Sequence, residues 1–347
     1  MSGAYSEIRF ALVLNLGQVY SQLIEIDAGE GIWAVTFSAN GEYLVSGGEG
    51  GIQVWRVTDG ERVATMEVNQ SVWCVAVSKD GRFIAAGTSS SKVLVWDAAS
   101  YERVFAHEMT AKVKIWQVDF SPDSTRLVSA NGKDSTATIW DTAVRQSVTL
   151  YHDGAVKAAK YSPQGDQIAT ATEESVRVWD SNNARLLVDI KLQVLPRCGL
   201  LWFSHHVCVA TKDSKIKQID VSTGSTVSEW SVPGSDSRIA VPQHGKFIAY
   251  STEDNITFWN TSTHTQISLI PRSSRRRSIA FSPDDQLFAI LEQERKIVIK
   301  GSSFIAVRPV FSHVNIFRPH TRSRTLLLKT LRSMRGNMLN SLMQKHC

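Results

Sequence analysis

The chain is poor in the features that mark secreted, membrane-spanning or catalytic proteins. Its four cysteines, Cys74, Cys198, Cys208 and Cys347, are scattered without paired spacing. No disulfide framework follows from such spacing. Cys74 and Cys208 fall in apolar runs that predict strands, so buried, reduced thiols are expected. That predicts a reducing compartment, the cytoplasm or the nucleus. The longest apolar run near the start, residues 10–14, is too short for a signal peptide or a membrane span, and no later run reaches spanning length.

Catalytic signatures are equally scarce. GGEGG at 47–51 is glycine-rich, but no helix and no Gly-Lys-Ser follow it, so it forms no phosphate cradle. No Gly-x-Ser-x-Gly elbow occurs. His205-His206 and His320 lack metal-ligand spacing with cysteines or carboxylates. No catalytic residue, metal or cofactor is therefore expected, and no small-molecule substrate.

Acidic charge is missing from one end of the chain. Of 38 Lys/Arg residues, 11 lie in 295–347, which holds no Asp or Glu. The preceding 294 residues keep 27 basic groups against all 33 acidic ones, a net of −6. The overall +5 describes neither part. An acidic body argues against a broad surface tracking a phosphate backbone, and nucleic-acid binding would rest on the tail alone.

What is present is a period. Tryptophan-centred phrases recur: GGIQVWRV around Trp55, SKVLVWDA around Trp96, STATIWDT around Trp140, ESVRVWDS around Trp179 and DNITFWNT around Trp259. Successive tryptophans stand 41, 44, 39 and then 80 residues apart, the last being two periods. SKIKQIDV, with Ile219 in the Trp place, supplies the missing unit, and RKIVIKGS supplies a seventh with Lys300 there. Upstream of each lies a second phrase, such as VTFSANGEYLVS (35–46) or VDFSPDSTRLVS (118–129). Alternating apolar residues there predict half-buried strands, and Ala-Asn-Gly or Ser-Pro-Asp supplies turns. A weaker outer strand follows, as in ERVATME (61–67). Four short strands per period describe one blade of a β-propeller.

The chain thus resembles the WD-repeat (WD40) family, in its fungal-type form. Trp96-Asp97, Trp140-Asp141 and Trp179-Asp180 match the family's dipeptide literally. The resemblance implies an all-β fold: a seven-bladed propeller of four-stranded antiparallel blades over residues 23–307. A strand or extension at 1–22 precedes it and a basic tail at 308–347 follows. Residues 12–33 align without a gap against 52–73, so the chain starts in mid-blade. The preferred closure lends 23–26 to the blade at 277–300, which removes an exposed sheet edge. Residues 12–15 are then surplus, and a partial eighth blade is the alternative.

The family also implies a buried network pinning its strands. Carried over by position, it is nearly whole in the third blade, with His107, Ser129, Asp134 and Trp140. The fourth has a weaker version in His152, Thr170 and Trp179, with Glu173 near the Asp place. These residue types invite a catalytic-triad reading, but the resemblance puts them inside a blade, away from substrate.

One repeated position, at the expected channel entrance, holds Trp33, Trp73, Trp116, Lys157, Gly199, Ser237 and Arg277. Trp33, Trp73, Trp116, Lys157 and Arg277 would form an aromatic and basic arc for a protein or peptide partner, since Trp and Arg dominate binding hot spots. The competing reading leaves those tryptophans half-buried between blades with no further role. Arg272 and Arg275 to Arg277, with Lys296 nearby, form a basic run that is either a solvated loop or a phosphate or acidic-peptide site. In the tail, Leu327, Leu331, Met334, Met338 and Leu342 repeat at helical spacing. They predict a basic amphipathic helix able to lie on a membrane or dock a partner, with a disordered extension as the alternative. The function that follows is a non-catalytic scaffold for protein–protein interaction. A membrane-surface adaptor and a propeller enzyme with a channel site are the rivals.

Overall fold

In a computed structural model the chain divides into two compact units, Met1–Phe304 and Ile305–Cys347. The structure describes residues 22–301 except 109–113, 133, 144–145, 196–199, 204, 233–237, 241–244, 253–254, 272–277 and 293–294. The amphipathic tail and the surplus segment 12–15 lie outside the described residues.

Seven four-stranded antiparallel sheets make up the described part, with no helix among the described residues. Blade 1 covers residues 32–66, and blades 2 to 6 cover 72–108, 115–151, 158–191, 200–231 and 238–271. Blade 7 takes three strands from 279–301 and its fourth, outermost strand, Gln22–Asp27, from the start of the chain. That strand runs antiparallel to Lys296–Gly301, with Ile24 opposite Ile299 and Ile26 opposite Ile297. The innermost strand of each blade touches that of the next, and the innermost strand of blade 7 touches that of blade 1, so the ring is closed.

Local chemistry explains each blade. The serine that ends the innermost strand is buried and organises the turn: Ser78 Oγ donates to Asp80 at 2.6 Å and accepts from the Phe83 N–H at 2.9 Å. Ser121 with Asp123 and Arg126, and Ser282 with Asp284 and Leu287, repeat it. A positive φ follows at Gly41 and Gly81, and at Ser124 and Asp285 where glycine is absent.

Four of the five repeated tryptophans are buried against the preceding blade, and Trp259 is half-buried. Trp55 packs with Ile297 and Ile299 of blade 7, Trp96 with Val45 and Val54 of blade 1, and Trp140 with Val93 and Val95 of blade 2. Trp179 packs with Val128 and Ile139 of blade 3, and Ile219 takes the same place against Val176 and Val178 of blade 4. No blade can bury its apolar faces alone, and truncating one such Trp is expected to cost about 3–5 kcal/mol.

Candidate functional site

The innermost strands are not equal. They run for six residues in blades 1 to 3, four in blades 4 and 5, and three in blades 6 and 7. Each of the three long ones carries one residue too many. Ile32 faces Gly48 and Ala34 faces Gly47, so Trp33 has no residue across from it. The same slip isolates Trp73 between the Val72–Thr88 and Cys74–Gly87 pairs, and Trp116 between Ile115–Asn131 and Gln117–Ala130. An inserted residue of this kind is a β-bulge, which bends the strand and re-aims its side chain. In blade 4 the ladder starts without a slip at Ala158, just after Lys157.

Three consecutive bulges bring the three indoles together. Trp33 and Trp73 are stacked, with centroids 4.9 Å apart and planes 15° apart. Trp116 meets Trp73 edge-on at 5.4 Å and 74°. Lys157 Nζ sits 4.9 Å from the Trp116 centroid. Lys114 Nζ sits 4.2 Å from that of Trp73 and 5.9 Å from that of Trp116. Such cation–π contacts are each worth about 0.5–1 kcal/mol at exposed sites, enough to orient the lysines. Gly132 makes the room: a Cβ there would lie 2.4 Å from Trp116 Nε1.

The tryptophans and Lys157 are half-buried, while Lys114 is exposed. Lys157 faces Glu173 at 3.8 Å, and Glu173 also faces Lys212 at 3.5 Å. Lys114 has no ion-pair partner among the described residues. Position alone brings Trp33, Trp73, Trp116 and Lys157 together, whereas Arg277, Gly199 and Ser237 lie outside the described residues. The arginine run at 272 and 275–277 also lies outside them, and Lys296, grouped with it, is committed to Glu25 at 2.6 Å. Lys114 escapes a reading by repeats because it stands two residues ahead of Trp116, off the repeated position.

The buried network differs from its expected form. In blade 3 Trp140 Nε1 donates to Ser129 Oγ at 3.0 Å, and Ser129 passes its proton to Asn131 Oδ1 at 3.0 Å. Asp134 accepts from the Thr136 hydroxyl at 2.8 Å, within its own turn. His107 is exposed and bonds to none of them; its ring lies against Trp140 at 4.3 Å. The physical reason is Asn131, whose amide bridges to Thr136 and Thr138 and leaves Ser129 nothing to ask of a histidine.

Blade 4 has the connected version. His152 Nε2 lies 2.8 Å from Thr170 Oγ1, and Trp179 Nε1 donates to the same oxygen at 2.8 Å. Burial, helped by the nearby Arg177, lowers the His152 pKa to about 4, so it is neutral at pH 7. Burial also pushes the Cys208 thiol up to about 12, so it is no nucleophile at neutral pH. Cys74 is likewise buried and in no disulfide. Among the described residues no three His, Cys, Asp or Glu side chains group as metal ligands, and no helix is long and apolar enough to cross a membrane. A slot between blades 2 and 3, lined mainly by Phe83, Val95, Phe105 and Trp140 with Asp141 and Thr142 beside them, is mostly apolar and brings no acid–base pair together.

Residues 21–56, 60–97, 100–141 and 145–180 match the family model "WD domain, G-beta repeat". The chain is 22% identical over 291 residues to Protein groucho of Drosophila melanogaster, covering 80% of this chain and 40% of that protein. It is 22% identical over 255 residues to Protein FIZZY-RELATED 3 of Arabidopsis thaliana, covering 69% of this chain and 52% of that one. The chain thus spans about half, or less, of these relatives' length. A chain in the crystal structure of the mitotic checkpoint complex superposes with a TM-score of 0.71 at 17% identity, covering 87% of this chain and 98% of that chain, a likeness of fold.

Proposed function

We propose, from the premise that four consecutive units of this chain are WD repeats, that the protein is a non-catalytic platform that docks other proteins. The docking face is the arc of Trp33, Trp73, Trp116 and Lys157. One observation carries this reading: the same extra residue is inserted in three successive blades, and each insertion delivers an indole to one shared stack. A bulge interrupts ladder hydrogen bonding, so three in register favour a role beyond filling space between blades. Fold alone does not assign function, and the relatives' names are consistent with interaction rather than catalysis. The rigid ring holds the arc ready, which keeps the entropic cost of binding low. Buried cysteines outside any disulfide, Cys74 and Cys208, support work in a reducing compartment, the cytoplasm or the nucleus.

The test is affinity capture from cell extract with the full chain and with its Trp33→Ala, Trp73→Ala, Trp116→Ala triple variant. The triple variant should lose specific partners while its unfolding temperature stays within several degrees of the parent's. Partner capture that survives the three substitutions would move the docking face elsewhere.

A further inference from the structure

We infer that the partner segment recognised by this arc is an acidic peptide. It sets an Asp or Glu carboxylate against the Lys114 and Lys157 ammonium groups and an apolar side chain against the indoles. The inference rests on the arc being a docking face and adds the chemistry of what docks.

The aromatic faces themselves exclude a cationic ligand. Trp33 and Trp73 cover each other, Lys114 occupies Trp73, and Lys157 occupies Trp116. A lysine, arginine or quaternary ammonium would meet two like charges in place of an open aromatic cage. The same crowding disfavours single-stranded nucleic acid, whose bases need free rings to stack on. At the Trp33 end, moreover, stand two carboxylates. The Glu49 N–H bonds Gly31 O at 2.9 Å, and the Glu30 carboxylate packs where a Cβ on Gly50 would go. Neither glutamate has an ion-pair partner among the described residues, so a ligand's anionic groups belong at the Lys114 and Lys157 end, and a backbone uniformly charged along the whole arc is disfavoured.

The cations, by contrast, are available to an anion. Lys114 carries three N–H donors, is exposed, and among the described residues has only indole faces for counter-charge. Lys157 holds Glu173 at 3.8 Å, the outer limit of an ion pair, and shares that carboxylate with Lys212. A ligand carboxylate placed between the two ammonium groups makes charge-assisted hydrogen bonds that neither makes among the described residues. Trp73 Nε1, on the innermost strand of blade 2, is buried without a hydrogen-bond partner, as are Gln70 Oε1 and Ser90 Oγ on two loops joined by the Ser89 N–H to Ser71 O bond.

The experiment uses the full chain and three fluorescent dodecapeptides on one scaffold, a central Leu-Trp flanked by Glu, by Ser or by Lys, plus oligouridine of equal length. Anisotropy should rank the Glu peptide tightest, with affinity falling several-fold as salt rises from about 0.05 to 0.3 M. Lys114→Glu should weaken it about tenfold or more while Lys114→Arg retains it, both variants melting with the parent. The inference is overturned if the Ser peptide, the Lys peptide or the RNA binds as tightly, if Lys114→Glu changes nothing, or if the Glu peptide shows no saturable binding. If Ser or Lys peptides bind and the triple Trp variant loses them, the docking face stands and only its preference for acid falls.

Discussion

Thr170 Oγ1 joins two rings from different elements, lying 2.8 Å from His152 Nε2 and 2.8 Å from Trp179 Nε1. The proton order follows from the far end. His152 Nδ1 lies 3.1 Å from Leu150 O, a carbonyl that can only accept, so Nδ1 carries the hydrogen and Nε2 is the acceptor. The Thr170 hydroxyl therefore donates to His152 and accepts from Trp179. Every member is buried, so the relay pins the entering loop, the second strand and the third strand of blade 4 without water.

Thr170→Val keeps the shape and strands both the indole N–H and the imidazole Nε2. Each buried orphan costs about 1–3 kcal/mol, so a loss of about 2–3 kcal/mol in urea unfolding is expected. Thr170→Ser, which restores the hydroxyl, should recover most of it. Equal stability of the Val and Ser variants would show that the relay contributes nothing.

The His152 ring also makes stability depend on pH. Its pKa is about 4 in the folded chain and near the ordinary 6.5 when unfolded, so between those values the unfolded chain binds more protons. Stability is then full above pH 6.5 and is lost as pH falls from 6.5 toward 4, by an amount on the order of 3 kcal/mol. In His152→Gln this part of the acid-side decline should be absent. Parallel pH profiles for parent and variant would refute the assignment.

The two histidines at the equivalent place should behave differently. His107 is exposed and only leans on Trp140, so His107→Ala is expected to cost less than about 1 kcal/mol. His152→Ala removes a buried ring and leaves the Thr170 hydroxyl only the longer contact to Arg177 O at 3.3 Å as acceptor, at about 2–4 kcal/mol. Trp140→Phe, which deletes the N–H donated to Ser129, should fall between them without altering partner capture. Chemical unfolding of the three variants checks the ranking.

The contrast shows what could be read from residues alone. The blades are legible because each is a local unit whose strands and turns lie within about 40 residues of one another, and the periodic Trp marks every copy that keeps it. Closure by 23–26 is legible too, since those residues align with outer strands elsewhere. The network is not legible in detail. Asp134 drew the assignment to blade 3 because it matches the family pattern, while the side chain that decides the hydrogen bonding there is Asn131, two residues along the same strand from Ser129. The arc could be suspected from a shared position, but its geometry depends on bulges. A bulge is a property of the partner strand's register, visible only once the ladder is seen to skip Trp33, Trp73 and Trp116. Lys114 matters only because the fold lays it over two rings.

Gly132 offers a test of the arc that touches none of its side chains. Its φ is not in the left-handed region, so alanine is allowed by the backbone and only the added methyl group acts. That methyl would stand 2.4 Å from Trp116 Nε1, closer than real contacts permit, and 3.1 Å from Lys114 O, tighter than most. The indole must swing away, giving up its edge contact with Trp73 and its place beneath Lys157. Losing one aromatic pair costs about 0.5–1.5 kcal/mol, so the ring of blades should survive. Partner affinity should fall several-fold, and the near-ultraviolet circular dichroism of the stacked indoles should weaken with it. Gly154→Ala is the matched control, because nothing lies within 4 Å of a Cβ there. Its binding and spectrum should equal the parent's. If Gly132→Ala bound as the parent does, the third indole would have no part in recognition, and the docking surface would shrink to Trp33 and Trp73.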